Sequence, residues 1–206
     1  MSRCVIVGSA DIGDHERIKG LLRDDDRFIY CDGGLRHMEG LGRKPDLIVG
    51  DFDSHEDPHM DAETITLPRE KDDTDTVYAV KEAVRRGYEE FLLVGVVGNR
   101  FDHTFGNISI LLYLDSIGKK GVTADDFSEM EIVSDSPAEI GEEYSFFSVL
   151  NISGTARGID ITGAKYPLAG SEITSEYQYG ISNEVLPGMT ARVSVKEGSV
   201  LLVKVF

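Results

Sequence analysis

Gly50, Asp51, Phe52, Asp53 and Ser54 follow directly on the apolar run Leu47-Ile48-Val49, and this pair of carboxylates is the chain's clearest candidate for chemistry. If the backbone stays extended there, side chains alternate, so Asp51 and Asp53 project to one side and Phe52 to the other. Hard oxygen donors at the C-terminal end of a strand suit Mg2+, which takes one or two carboxylates together with phosphate oxygens. A polar turn would use the same residues, but the position directly after a buried strand favours a site. A second cluster, Lys71-Asp72-Asp73-Thr74-Asp75, stands immediately ahead of a helical pattern. Asp and Thr cap helix N-termini and suit the dipole there. Three aspartates with a lysine ahead exceed what a cap needs, and a lysine beside metal-binding carboxylates neutralises charge on a polyphosphate. Asp72 and Asp75 share a face if the first helical turn begins at residue 72.

Two further loops repeat the theme. Gly95-Val96-Val97-Gly98-Asn99-Arg100-Phe101-Asp102-His103 links an apolar run to a helical pattern, where glycine lets a ligand approach the backbone and a helix N-terminus attracts phosphate. Cys31-Asp32-Gly33-Gly34 offers one carboxylate to a ribose or amino group. Neither a GxGxxG fingerprint nor a GxxxxGK[ST] loop occurs, so any nucleotide binds in another mode. His55-Glu56-Asp57-Pro58-His59 matches the HExxH pattern of zinc proteases, yet Pro58 would break the helix that must carry both histidines. Zinc is rejected on that ground. His15 and His37 read as ordinary helix-surface residues.

The elements that must position these loops alternate. Residues 4–8, 27–31, 46–50, 64–67 and 91–94 read as buried strands, and residues 14–22, 74–86 and 103–117 as helices. Such alternation predicts an α/β domain with a Rossmann-like, mostly parallel sheet over residues 1–125, with ligands beyond the C-terminal strand ends. From about residue 126 the helical pattern stops. Runs at 129–133, 144–152, 158–162, 189–196 and 199–206 predict a smaller all-β sandwich over residues 126–206.

Composition bounds the partners. In 206 residues, 21 Lys plus Arg stand against 37 Asp plus Glu, a formal charge of −16 that argues against nucleic acid and anionic membrane surfaces. A nucleotide remains compatible if divalent ions bridge carboxylates to phosphate. No run approaches the ~18 apolar residues of a membrane helix, and the apolar N-terminal run is too short for a signal peptide. Cys4 and Cys31 sit in apolar runs without CxxC spacing, as buried thiols of a cytoplasmic protein would.

In their order, these motifs resemble the thiamine pyrophosphokinases (thiamine diphosphokinases). The resemblance runs through Asp32-Gly33-Gly34, Pro45 to Ser54, Lys71 to Asp75 and Arg100-Phe101-Asp102-His103-Thr104. It continues at Lys165-Tyr166-Pro167-Leu168 and Gly180-Ile181-Ser182-Asn183-Glu184. It implies transfer of the pyrophosphoryl group of ATP to thiamine by a Mg2+-dependent homodimer with active sites at the subunit interface. By the same resemblance, Asp51, Asp53 and Asp75 are catalytic and hold the metal, with Lys71 and Asp72 assisting. Asp32, Gly33, Gly34, Ser54, Thr74, Gly98, Arg100, Asp102 and His103 belong to the nucleotide side, and Ser182, Asn183 and Tyr166 to the thiamine side. The chain has no Trp, so Tyr166, Tyr177 or Tyr179 would supply any aromatic face for the vitamin. Two alternatives stay open: a diphosphokinase for another primary alcohol such as a hydroxymethyl-pterin, and a non-catalytic Mg-nucleotide sensor.

Overall fold

The computed structural model describes residues 2–52, 60–70, 72–98 and 100–206; Asp53, Ser54, Lys71 and the 55–59 motif lie outside the described residues. The chain divides into two compact units, Met1–Asp126 and Phe127–Phe206.

The first unit runs β1 (Cys4–Val7), α1 (His15–Leu21), β2 (Arg27–Cys31), a 3-10 turn (Asp32–His37) leading straight into α2 (Met38–Leu41), β3 (Leu47–Gly50), β4 (Glu63–Thr66), α3 (Asp75–Arg85), β5 (Glu90–Val94), α4 (Phe101–Ser116) and β6 (Lys120–Ala124). Its described strand pairs are all parallel, in the order β6-β5-β1-β2-β3-β4. Parallel neighbours need long crossovers, which the helices supply. Alternation then sorts the side chains. Val5, Val7, Phe28, Tyr30, Leu92 and Val94 form one core with Ile18 of α1 and Leu41 of α2. Cys4, Ile6, Ile29 and Cys31 are equally buried and face the other way, where α3 packs on β1, β2 and β3. With both faces covered, the strands read as continuous apolar runs, which is why they were legible.

Strand order reverses at β1, with β2, β3 and β4 on one side and β5 and β6 on the other. A crevice at such a reversal is where open α/β sheets bind ligands. Helix starts follow the capping residues: Asp14 accepts from Arg17 N at 3.0 Å, and Thr74 Oγ1 from Val77 N at 3.3 Å. The helix expected from residue 103 begins earlier, at Phe101. The helical stretch Asp32–Leu41 was not foreseen, because Asp-Gly-Gly reads as a plain turn.

The second unit contains β7 (Ser128–Val133), β8 (Ala138–Ile140), β9 (Phe146–Leu150), β10 (Thr155–Thr162), β11 (Leu168–Thr174), β12 (Gly180–Asn183), β13 (Ala191–Ser194) and β14 (Val200–Val205). Two antiparallel sets, β12-β9-β14-β7 and β11-β10-β13-β8, enclose one core. Phe147, Val149, Val200 and Leu202 from the first meet Ile159, Ile161, Ala191 and Val193 from the second. Counted over the chain's described pairs, five are parallel and six antiparallel, so its pairing is mixed, not mostly parallel. Among the described residues no helix is long and apolar enough to cross a membrane.

Candidate active site

Three carboxylates converge from three segments. Asp32 opens the 3-10 turn after β2, Asp51 follows the last residue of β3, and Asp75 is the first residue of α3. β2 and β3 are parallel neighbours, with Cys31 opposite Val49, so their ends deliver Asp32 and Asp51 side by side. One oxygen of each of the three lies within 4.8 Å of the other two. The approach depends on Gly50, where a Cβ would stand 2.7 Å from the Asp32 Cβ. Hard oxygens gathered this closely repel one another unless a cation lies among them, and the donor set fits Mg2+.

This arrangement differs from the sequence expectation in three ways. Asp53, the expected partner of Asp51, lies outside the described residues, and Asp32 stands in the carboxylate trio with Asp51 and Asp75. The chain is not extended past Asp51: Phe52 has φ 51°, a left-handed conformation that costs a non-glycine residue about 1–2 kcal/mol. Strict alternation therefore breaks at Phe52. Finally, α3 begins at Asp75, so Asp72 precedes the helix and shares no helical face with it. Thr74 is engaged as the cap, and Asp73 is held by Lys81 Nζ at 2.9 and 2.7 Å.

Beside the trio, burial, with the Asp75 charge nearby, pushes the Cys31 thiol up to about 12. Cys4 and Cys31 are both buried free thiols. Gly34 admits the protein's own backbone, since a Cβ there would lie 2.2 Å from Val7 O, whereas a Cβ on Gly33 would meet the Ser9 side chain at 2.9 Å.

A cleft of about 280 Å3 opens at the strand-order reversal. Ser9, Ala10 and Asp11 after β1, Gly95, Val96 and Gly98 after β5, and Arg100, His103, Thr104 and Asn107 at the start of α4 line it, with Arg36 and Thr76. Thr76 adjoins Asp75, so the cleft and the trio share the first turn of α3. Arg100 grips Asp102 through Nε at 2.9 Å and Nη2 at 2.6 Å, and this guanidinium holds the Asp102 carboxyl well below the usual range. Thr104 Oγ1 accepts from Gly98 N at 3.0 Å, and Asn107 Nδ2 donates to Val96 O at 2.8 Å, so α4 fixes the glycine turn. The sequence reading missed Ser9–Asp11, Arg36, Thr76 and Asn107. Gly8-Ser9-Ala10-Asp11 carries the same strand-end signal as the other loops and was findable; Arg36 and Asn107 carry none.

In the second unit Tyr166 and Asn183 come together. The buried Asn183 accepts from Tyr166 N (3.0 Å) and Glu184 N (2.9 Å) and donates to Tyr166 O (2.8 Å). Its amide is committed to holding the Tyr166 backbone, whereas the Tyr166 ring is exposed. Ser182 sits at φ 56° where β12 shifts register, with its N–H on Ser148 Oγ at 3.1 Å. Tyr177 and Tyr179 pack on each other at 5.4 Å.

Two family profiles match the chain: "Thiamin pyrophosphokinase, catalytic domain" over residues 18–122 and "Thiamin pyrophosphokinase, vitamin B1 binding domain" over residues 132–200. The thiamine pyrophosphokinase of Bacillus subtilis (strain 168) is 26% identical over 177 residues, covering 82% of this chain and 83% of its own. Thiamine pyrophosphokinase 1 of Oryza sativa subsp. japonica is 35% identical over 129 residues, 49% of either chain. Among solved structures, the Bacillus subtilis thiamine pyrophosphokinase gives a TM-score of 0.88 at 22% identity, covering 99% of both chains. The Candida albicans thiamin pyrophosphokinase gives 0.76 at 13% identity, over 100% of this chain and 89% of its own. At these identities the solved structures speak for the fold.

Proposed function

The chain belongs to the thiamin pyrophosphokinase family, and on that premise we propose that it transfers the pyrophosphoryl group of ATP to the hydroxyl of thiamine, giving thiamine diphosphate and AMP. The observation that carries this to particular residues is the convergence of Asp32, Asp51 and Asp75 within 4.8 Å beside a cleft lined by Arg36, Arg100 and His103.

Asp32, Asp51 and Asp75 are the residues to hold Mg2+, and Asp53 keeps its place in the proposed set. Bound there, the metal supplies neutralisation of charge on the polyphosphate oxygens. The remaining work is positioning, which is most of what phosphoryl-type transfer asks of a protein. Arg36, Arg100 and His103 present N–H donors to phosphate, and the Gly95–Gly98 turn and the α4 N-terminus add backbone N–H groups. With ATP so held, the thiamine oxygen bonds to the β-phosphorus as the bond to the oxygen shared with the α-phosphate breaks. AMP leaves with that oxygen, and the hydroxyl proton is released.

We assign the nucleotide and the chemistry to the first unit and thiamine to the second. Tyr166 and Ser182 face the vitamin, with Asn183 acting through Tyr166. The net charge of −16 favours a cationic thiazolium, which an aromatic face also attracts. A cytoplasmic homodimer with active sites at the subunit interface completes the proposal.

AMP release, followed with thiamine in the presence and absence of Mg2+, tests the reading. Turnover should require both. Turnover of a hydroxymethyl-pterin but not thiamine, or Mg-ATP binding without AMP release, would overturn it.

A further inference from the structure

The Ser9–Asp11 wall of the cleft belongs to no regular element, so its backbone groups need partners from elsewhere. On one side Ala10 N donates to Gly95 O at 2.7 Å. On the other, the 3-10 turn supplies two adjacent residues. Arg36 donates to Ser9 O and, at 2.7 Å, to Asp11 Oδ1, while His37 Nε2 lies 2.8 Å from Ala10 O. His37 Nε2 also faces the Arg36 Nε–H at 3.3 Å, a contact that would make it an acceptor; the shorter contact is to the Ala10 carbonyl, which only accepts, and on that ground Nε2 is assigned the His37 proton and Nδ1 a lone pair. His15 Nε2 of α1 is 3.2 Å from that lone pair and donates to it. The ring of His15 is seated against Gly40, where a Cβ would stand 2.4 Å from its Cδ2. The histidines expected on helix surfaces are instead a coupled pair, and His37 is buried at 5% exposure.

We propose that His15 and His37 form a proton-sensitive strut that positions the Ser9–Asp11 wall, neutral His37 holding it where the nucleotide meets it. The proposal rests on reading this cleft as the nucleotide's. A proton at His37 Nδ1 turns that nitrogen from acceptor to donor, so His15 must take its other tautomer to keep the contact, and it brings a second positive charge beside Arg36, whose Nε is 3.3 Å from His37 Nε2. The groups facing His37 are Arg36 on its own turn, His15 on α1, and Asp11 with the Ala10 carbonyl on the loop. Burial is the largest influence and lowers its pKa; Arg36 and His15 lower it further, against the Ala10 carbonyl and Asp11.

The test compares the intact chain with His37→Gln, which can still donate to Ala10 O but does not titrate, and with His37→Ala. Affinity for a fluorescent ATP analogue with Mg2+ is measured at about pH 7.5 and about pH 5.5, alongside amide hydrogen exchange of residues 8–13 in the free protein. In the unsubstituted chain, acidification should weaken binding about two- to fivefold, less than an ordinary imidazole would give because the His37 pKa is lowered, and raise exchange of the loop beyond its intrinsic pH dependence. His37→Gln should keep tight binding and a protected loop at both pH values, although the nucleotide phosphate titrates in both proteins. His37→Ala should bind weakly and exchange fast at both. Persistence of the acid effect in His37→Gln, or an unchanged loop in His37→Ala, would overturn the strut. If no protein binds the analogue at either pH, the nucleotide reading fails, while loop exchange alone still decides the strut.

Discussion

Gly50 and Asp32 stand against each other at the ends of β3 and β2, so close that a Cβ on Gly50 would lie 2.7 Å from the Asp32 Cβ. Asp32 can neither slide along its strand, because β2 and β3 are paired in register through Cys31 and Val49, nor turn inward past a buried core. The missing side chain at residue 50 thus sets where the Asp32 carboxylate lies relative to Asp51.

Gly50→Ala is therefore expected to displace Asp32 and lower AMP release by roughly 100-fold, since misplacing a reacting group by about an ångström costs about that much. Circular dichroism should match the unsubstituted chain. Activity within twofold would mean that Asp32 is not in the metal set.

Asp75→Asn should lower turnover by at least about 100-fold, the scale of losing one group aimed at developing charge, with folding retained because Thr74 still caps α3. Calorimetric titration of Mg2+ into the free protein should weaken in parallel. Normal metal binding with lost turnover would move Asp75 from the metal to the reacting hydroxyl.

Asn183→Ala leaves the Tyr166 N, Tyr166 O and Glu184 N groups without their partner. A loss of about 2 kcal/mol in unfolding free energy is expected, together with a several-fold rise in KM for thiamine and none for ATP. An equal rise for both substrates would argue that Asn183 serves the fold alone.

The His37 imidazole also makes stability depend on pH with a definite sign. Its folded pKa lies below the ordinary 6.5, so between the two values the unfolded chain binds more protons and stability falls as pH falls. The loss begins as pH drops through about 6.5 and levels off below the folded pKa. Thermal melts of His37→Gln and of the unsubstituted chain should keep a constant offset above that window, and within it the unsubstituted chain should lose stability relative to His37→Gln. Parallel curves would remove His37 from the acid response.

Much of the site was legible because local rules decide it. Asp51 follows a strand whose four residues are all buried, and Asp75 follows a threonine whose natural use is an N-cap; strand ends and helix starts are properties of a dozen neighbouring residues. Phe52 was misread because its left-handed φ depends on where β3 releases the chain, which period-two alternation cannot express. Asp32 was read as a nucleotide contact because its carboxylate meets the others only after β2 and β3 pair. His37 was misread most completely, since nothing in Arg36-His37-Met38 signals burial against a loop more than twenty residues upstream.

By itself the sequence determined the strand and helix periods, the acidic loops at the strand ends, the change to all-β patterning near residue 126 and the family resemblance. Each of these follows from side-chain type and short-range spacing. Only the tertiary structure decided which aspartates share one point, that Asn183 holds Tyr166, and that two histidines brace the cleft wall. Those relations join residues 17 to 43 positions apart (Asn183 to Tyr166, Asp75 to Asp32). They exist only because parallel pairing and close packing bring distant segments within hydrogen-bond or coordination distance.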